Sequence, residues 1–151
     1  MNNEIAHRVY DAYLKIFEMQ LRDGIRREML TWAFTENPDH WPVIGITHTA
    51  LERFADHDFK CVTRIGIHRS HLIDRRTWQT VMLQERLPFE DWLALYLRSD
   101  QTVLATSSEN MKGSKPAYIP IAMDLGLFRS TGYKWRHTAK EREFLRALHA
   151  G

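Results

Sequence analysis

Apolar residues recur at two different periods along this chain, and the change of period limits the fold more than any other feature. From Glu4 to Leu21 they return at steps of three and four residues, as on one face of an amphipathic helix. The runs Phe59 to His68 and Thr102 to Thr106 are short and rich in β-branched residues, which is typical of strands. Helical patterns outnumber strand patterns, so we predict a helix-dominated α+β fold with a small two- or three-stranded sheet.

Further helices are predicted from helical spacing and from capping residues. They cover residues 25–34, 47–57, 78–83, 89–97 and 138–148. Thr47 or Thr49 suits the N-cap of the third helix, Thr138 suits the N-cap of the last, and Ser107 with Ser108 marks a helix entry. The glycine- and proline-containing segments 113–120 and 129–132 are predicted to be loops.

The length of 151 residues suits one domain over residues 1–151. Within it we distinguish an N-terminal helical pair at 1–36 from a strand and helix core at 59–113. The apolar stripe of the helical pair suits either the interior of the protein or the seam of a homodimer. The pattern itself does not decide between these two.

A single cysteine, Cys61, excludes an intramolecular disulfide and any zinc site built from several cysteines. This composition favours a reducing compartment. The first residues do not resemble a secretory signal, and no apolar run reaches the roughly 18 residues of a membrane helix. We therefore expect a cytoplasmic protein with no membrane partner.

The net charge of +2 conceals two basic blocks. Residues 60–76 carry 5 Lys/Arg against 1 Asp/Glu, and residues 112–151 carry 8 against 3. If the blocks meet in the fold, they form a positive surface suited to phosphate backbones; otherwise they are ordinary solvated faces. The candidate nucleic-acid contacts are Arg64, Arg69, Arg75, Arg76, Lys112, Lys115, Lys134 and Arg136.

Two histidines give the first basic block a possible chemistry. His68 and His71 are three residues apart at the exit of the predicted strand, where a turn would direct both imidazoles to one pocket. An imidazole can take a proton from water in phosphodiester hydrolysis, while a divalent metal stabilises the leaving oxygen. The alternative is that these histidines are structural or face the solvent.

The run from Ile67 to Arg75, followed by Val103 to Asn110, resembles the strand, histidine, second strand and helix-entry asparagine of HNH endonucleases, the ββα-metal family. The resemblance implies that His71 is the general base and that Asn110 orients its ring. Ser70 stands where the family carries a metal ligand, and the family's histidine on the helix after the asparagine has no match in Met111 to Ile119. We therefore assign the divalent metal, with Mg²⁺ as the first candidate, to His68 in place of the first ligand and to Glu109 in place of the second.

The sequence thus predicts a protein that acts on nucleic acid, with DNA as the first candidate ligand and RNA as the second. If the protein is an enzyme, the prediction is a metal-dependent endonuclease. One alternative is a non-catalytic binding module that stacks unpaired bases on exposed aromatic residues. The aromatic candidates are Trp78, Tyr118, Tyr133 and Trp135. The segment 134–137, which contains Trp135 between basic residues, is the best candidate for such a contact. Another alternative is a small homodimeric interaction or regulatory protein. No Gly-x-Ser-x-Gly elbow or phosphate-binding glycine loop occurs, which disfavours common serine hydrolases and nucleotide-binding enzymes.

Overall fold

The chain forms two compact units in a computed structural model that describes residues 2–60, 65–111 and 117–151. The helical unit comprises Met1–His40 and Ile73–Asp100, and the sheet unit comprises Trp41–Leu72 and Gln101–Gly151. Helix predominates over strand, so the helix-dominated α+β class is confirmed. One domain over residues 1–151 stays a prediction.

The helices and strands have the following bounds. The helices are α1 (Asn3–Glu18), α2 (Asp23–Phe34), α3 (His48–Ala55), α4 (Arg75–Gln84), α5 (Phe89–Ser99), α6 (Ser107–Met111) and α7 (Ala139–Ala150). The strands are β1 (Val43–Thr47), β2 (Ile67–His71), β3 (Thr102–Thr106), β4 (Tyr118–Pro120), β5 (Ser130–Thr131) and β6 (Lys134–Trp135). Among the helices of the described residues, none has the length and apolarity that crossing a membrane requires.

The helical unit buries the stripe of α1 in an aromatic core. Val9 and Tyr13 of α1 are buried with Trp92 of α5. The Tyr13 hydroxyl donates to the Met82 carbonyl (3.1 Å) and accepts from the Leu87 amide (2.9 Å), so the polar atom of this buried ring is satisfied. The stripe of α1 therefore belongs to the interior of this unit, and the homodimer seam stays a prediction.

The sheet unit contains a four-stranded sheet in the order β2-β3-β1-β4. The central pair, β1 and β3, is parallel, and both outer pairs are antiparallel. Strands β5 and β6 form a separate hairpin. The sheet has more strands than expected because β1 was not predicted and β4 lies in a predicted loop.

Strand β2 begins later than its sequence pattern indicated. The prediction was residues 59–68, whereas the observed strand is Ile67–His71; residues 61–64 lie outside the described part of the chain. The polar residues 68–71 pair with β3 at the edge of the sheet. Polar side chains are common on edge strands, which lie at the border of a sheet. Because residues 68–71 are all polar, no hydrophobic pattern in the sequence indicated this part of the strand.

The predicted helix caps of the sheet unit are confirmed. Thr47 accepts a hydrogen bond from the Ala50 amide (3.1 Å) at the start of α3, and Thr138 forms a capping box with Glu141 at the start of α7. Both helices bury an apolar residue in the core of this unit, Phe54 from α3 and Leu145 from α7.

Candidate functional site

Strand β2 separates the two histidines that were expected to converge. Successive side chains of a strand point to opposite faces, so residues three apart lie on opposite sides. His68 and Ser70 contact α6, whereas His71 lies on the face that carries the buried Ile67. The predicted pocket shared by both imidazoles is therefore wrong.

A group of four polar residues occupies the face of β2 that carries α6, and we call it the α6 cluster: His68, Ser70, Ser107 and Asn110. The Nε2 atom of His68 lies 2.8 Å from the Ser107 Oγ atom. The Ser70 hydroxyl donates to the Asn110 Oδ1 atom at the same distance of 2.8 Å. His68, Ser107 and Asn110 are exposed, so the cluster is open to a ligand.

The Gly66 carbonyl beside Ser107 favours one tautomer of His68. When the Ser107 hydroxyl donates to this carbonyl (3.0 Å), its oxygen accepts from a protonated Nε2 atom of His68. The Nδ1 atom of a neutral His68 then carries the lone pair. This nitrogen is the atom of the cluster that can accept a proton from water.

Asn110 was expected to orient His71, and the structure gives it a different partner. Its Oδ1 atom accepts from Ser70, on the face of β2 opposite to His71. The two N–H bonds of its amide group then remain the donors of this side chain. His71 itself is half-buried and meets the Trp41 ring edge-on, with ring centroids 5.6 Å apart. The expected pair of His71 and Asn110 is not formed.

Glu109 holds the ends of the two parallel strands together. Its Oε2 atom accepts from the Thr47 hydroxyl (2.9 Å), the Thr106 amide (2.9 Å) and the Thr106 hydroxyl (2.8 Å). Burial raises the pKa of Glu109, but these hydrogen bonds outweigh burial and bring the pKa below the ordinary value of a glutamate. The carboxylate expected to bind metal is thus occupied within the fold.

The predicted metal ligands do not form a metal site by themselves. A divalent cation needs several oxygen or nitrogen ligands around one point. Over residues 2–60, 65–111 and 117–151, no three His, Cys, Asp or Glu side chains come together in this way. His68 and Glu109 also serve different partners, Ser107 and the two threonines. The residues described here do not fit the predicted site.

Arg69 was predicted to contact nucleic acid, but it anchors the β5–β6 hairpin. Its guanidinium donates to the Ser130 hydroxyl and to the carbonyls of Tyr133 (2.9 Å) and Lys134 (3.0 Å). It also lies over the Trp41 ring, 5.0 Å from the centroid. A half-buried guanidinium with these partners stabilises the loop, which corrects its assignment as a phosphate contact.

The other predicted basic contacts fall into three groups. Lys134 and Arg136 are exposed on and beside the hairpin of the sheet unit. Arg75 and Arg76 are exposed in the first turn of α4, in the helical unit. The remaining three, Arg64, Lys112 and Lys115, lie outside the described residues.

Of the four aromatic candidates for base stacking, Tyr133 alone is exposed, at 51%. Trp78 is buried in the core of the helical unit, so its proposed role in stacking is wrong. Trp135 is half-buried and faces Arg69, with 5.9 Å from the guanidinium carbon to the ring centroid. Tyr118 is half-buried on β4.

Sequence reasoning missed Ser70 and Ser107 as partners of the candidate residues. The signal for Ser70 was its spacing of two residues from His68, which places both on one face once the strand is extended to His71. Ser107 carries no such signal, because its contact with His68 depends on the pairing of β2 with β3.

No protein-family model, curated protein or solved structure matches this chain. The resemblance to HNH endonucleases stays a prediction.

Proposed function

We propose that this protein acts on nucleic acid and that the α6 cluster contacts the phosphodiester backbone. The observation that carries the proposal is the exposed imidazole of His68, held by Ser107 on the same face as the Asn110 amide. An oriented imidazole beside an amide donor suits both proton transfer and a hydrogen bond to a phosphate oxygen.

The charge distribution supports a polyanionic ligand. The residues of the sheet unit include 12 Lys/Arg against 7 Asp/Glu, a net of +5, whereas those of the helical unit include 9 against 12, a net of −3. Two carboxylates of the sheet unit, Glu109 and Glu141, accept hydrogen bonds from threonines, and Asp58 pairs with Arg146 and Lys60. The positive excess of the sheet unit suits a phosphate backbone.

The catalytic form of the proposal is phosphodiester hydrolysis with His68 as general base. The Nδ1 atom takes a proton from a water molecule, and the water oxygen attacks phosphorus as the P–O bond to the leaving oxygen breaks. The leaving oxygen then takes a proton from solvent. His68 replaces His71 in this role because His71 lies on the other face of β2. Divalent-metal dependence stays a prediction, and no step here uses it.

Cleavage of nucleic acid by two histidine variants tests this proposal. Supercoiled plasmid and labelled single strands are incubated with Mg²⁺ or Mn²⁺, or with EDTA, and products are followed on gels. His68→Ala is expected to lower the cleavage rate about 100-fold or more, with binding retained. His57→Ala is the matched control, because His57 is also exposed in the sheet unit but lies outside the cluster.

The alternative results separate the remaining hypotheses. Cleavage that His71→Ala abolishes and His68→Ala leaves intact would return the general base to His71. Salt-sensitive binding without cleavage would support the non-catalytic binding module. A protein that neither cuts nor binds nucleic acid would contradict the proposal, and the interaction or regulatory protein would become the leading hypothesis.

A further inference from the structure

The β5–β6 hairpin presents a tyrosine at its tip. Ser130 pairs with Trp135 and Thr131 pairs with Lys134, which leaves Gly132 and Tyr133 as the two-residue turn. Gly132 has a φ of 62°, in the left-handed region that glycine adopts without cost. The turn therefore places the Tyr133 side chain at the end of a defined two-stranded element.

The hairpin is held in place before any ligand arrives. The Arg69 guanidinium binds the Tyr133 and Lys134 carbonyls and the Ser130 hydroxyl, and the aromatic rings of Trp41 and Trp135 flank it. An ordered loop loses less conformational entropy on binding than a mobile one. The Tyr133 ring packs at 5.5 Å from the Trp41 ring, while half of the residue stays open to solvent.

Three exposed cations belong to the hairpin and to the residues beside it: Arg129, Lys134 and Arg136. Lys134 directly follows Tyr133 in the chain, and the Arg136 amide donates to the Arg129 carbonyl (2.7 Å), so the other two lie opposite each other at the base of the hairpin. None of them has a carboxylate within ion-pair distance among the residues whose positions are described. By contrast, Arg146 of the same unit is paired with Asp58.

We propose that the hairpin tip binds an unpaired base of a single-stranded nucleic acid. The base stacks on the Tyr133 ring, and the phosphates on either side of it contact the three cations. A purely apolar partner would leave these cations without a role, whereas unpaired nucleic acid supplies a π face and phosphates at adjacent positions. The inference rests on the proposed function in one respect, that the ligand is a nucleic acid.

Stacking is tolerant of base identity because every base offers a π face. The hairpin therefore distinguishes unpaired from paired bases, and it does not select a sequence. Single-stranded DNA and single-stranded RNA share this chemistry, and the two are separate arms of the experiment.

Binding of labelled oligonucleotides, measured by fluorescence anisotropy over a range of salt concentrations, tests the inference. Single-stranded DNA, single-stranded RNA, the corresponding DNA duplex and a DNA strand with abasic sites are the four probes. Tyr133→Ala is expected to weaken single-strand binding about tenfold, to change duplex binding less than about twofold and to leave the salt slope unchanged. Tyr133→Phe keeps the ring and is expected to bind as the wild type does.

Two comparisons distinguish a loss of stacking from a structural defect in the Tyr133→Ala variant. Wild-type protein is expected to bind the abasic strand about tenfold more weakly than the intact strand, with no change to the protein. Lys134→Ala is expected to lower the salt slope by about one on every probe, which a stacking residue does not do.

If Tyr133→Ala lowered the affinity for single strand and for duplex equally, the inference would be overturned. Equal affinity of the wild-type protein for the intact and the abasic strand would overturn it as well. Either result leaves the His68 assay of the proposed function unaffected. Failure to bind any of the four probes at low salt would overturn both.

Discussion

Glu109 shows why residue type alone misassigns a carboxylate. From the sequence it was a candidate metal ligand, because the HNH family's histidine after the asparagine has no match in this chain and a glutamate can supply an oxygen instead. In the fold it accepts hydrogen bonds from Thr47 and Thr106 at the ends of two parallel strands. A sequence shows the acceptor, but the donors are known only after the strands are paired.

The depressed pKa of Glu109 makes its contribution to stability depend on pH. Because the native pKa lies below the ordinary value, the carboxylate stabilises the fold at neutral pH and loses this contribution as pH falls through the native pKa. Glu109→Gln is therefore expected to cost about 1–3 kcal/mol at pH 7. Urea unfolding between pH 7 and pH 3 should show this difference shrinking in acid.

The exposed Glu143 of α7 provides the control for that measurement. Glu143→Gln is expected to change the free energy of unfolding by less than about 0.5 kcal/mol at every pH. A Glu109→Gln difference that is the same at pH 7 and pH 3 would show that the charge of this carboxylate does not stabilise the fold.

At the scale of elements, strand β1 depends on a glycine. A Cβ atom at Gly45 would lie 2.2 Å from the Cδ2 atom of Tyr118 and 2.9 Å from the Ile119 carbonyl oxygen. Both contacts are with β4, which pairs with β1. Gly45→Ala is therefore expected to destabilise the protein by about 1–3 kcal/mol, measured as a shift of the urea midpoint.

Gly24 is the matched control, because a Cβ atom there meets nothing within 4 Å and the residue lies in α2. Gly24→Ala is expected to stabilise the protein by about 0.5–1 kcal/mol, since alanine favours helix. Adding Tyr118→Ala to the Gly45→Ala variant should recover part of the lost stability. Without that recovery, the contact with the Tyr118 ring is not the cause.

The sequence predicted helices and caps well, and strands less well, for a physical reason. The stripe of α1 and the cap residues Thr47 and Thr138 are local signals, readable within a few residues of sequence. Strand β1 carries a glycine at its centre, Gly45, and glycine disfavours strands, so its five residues gave no strand signal, whereas β3 has no glycine and was predicted at its observed bounds. The opposite faces of His68 and His71 depend on where β2 ends, which pairing with β3 decides.

At the scale of the whole molecule, the basic excess belongs to the sheet unit and the acidic excess to the helical unit. If nucleic acid binds the sheet unit, Lys134→Ala with Arg136→Ala should lower the slope of log affinity against log salt by about two. Arg75→Ala with Arg76→Ala, the corresponding pair in the helical unit, is expected to change the slope by less than about one. Titration of duplex DNA at several salt concentrations measures both.

Equal changes of slope for the two double variants would place phosphate contacts on both units, as the sequence first predicted for Arg75 and Arg76. A larger change for Arg75→Ala with Arg76→Ala would contradict the assignment of the contact surface to the sheet unit. The predicted homodimer stays a prediction at this scale.

The partners of Tyr13 set an order of events during synthesis of the chain. Its hydroxyl is satisfied by Met82 and Leu87, which follow it by 69 and 74 residues. At translation rates of about 5–20 residues per second, α1 exists for roughly 4–15 s before those partners are made. Throughout that interval α1 can pack only against α2, and the side chains of Val9 and Tyr13 lack Trp92 and stay partly open to water or a chaperone. The nascent chain is therefore expected to be most prone to aggregation before residue 87 leaves the ribosome.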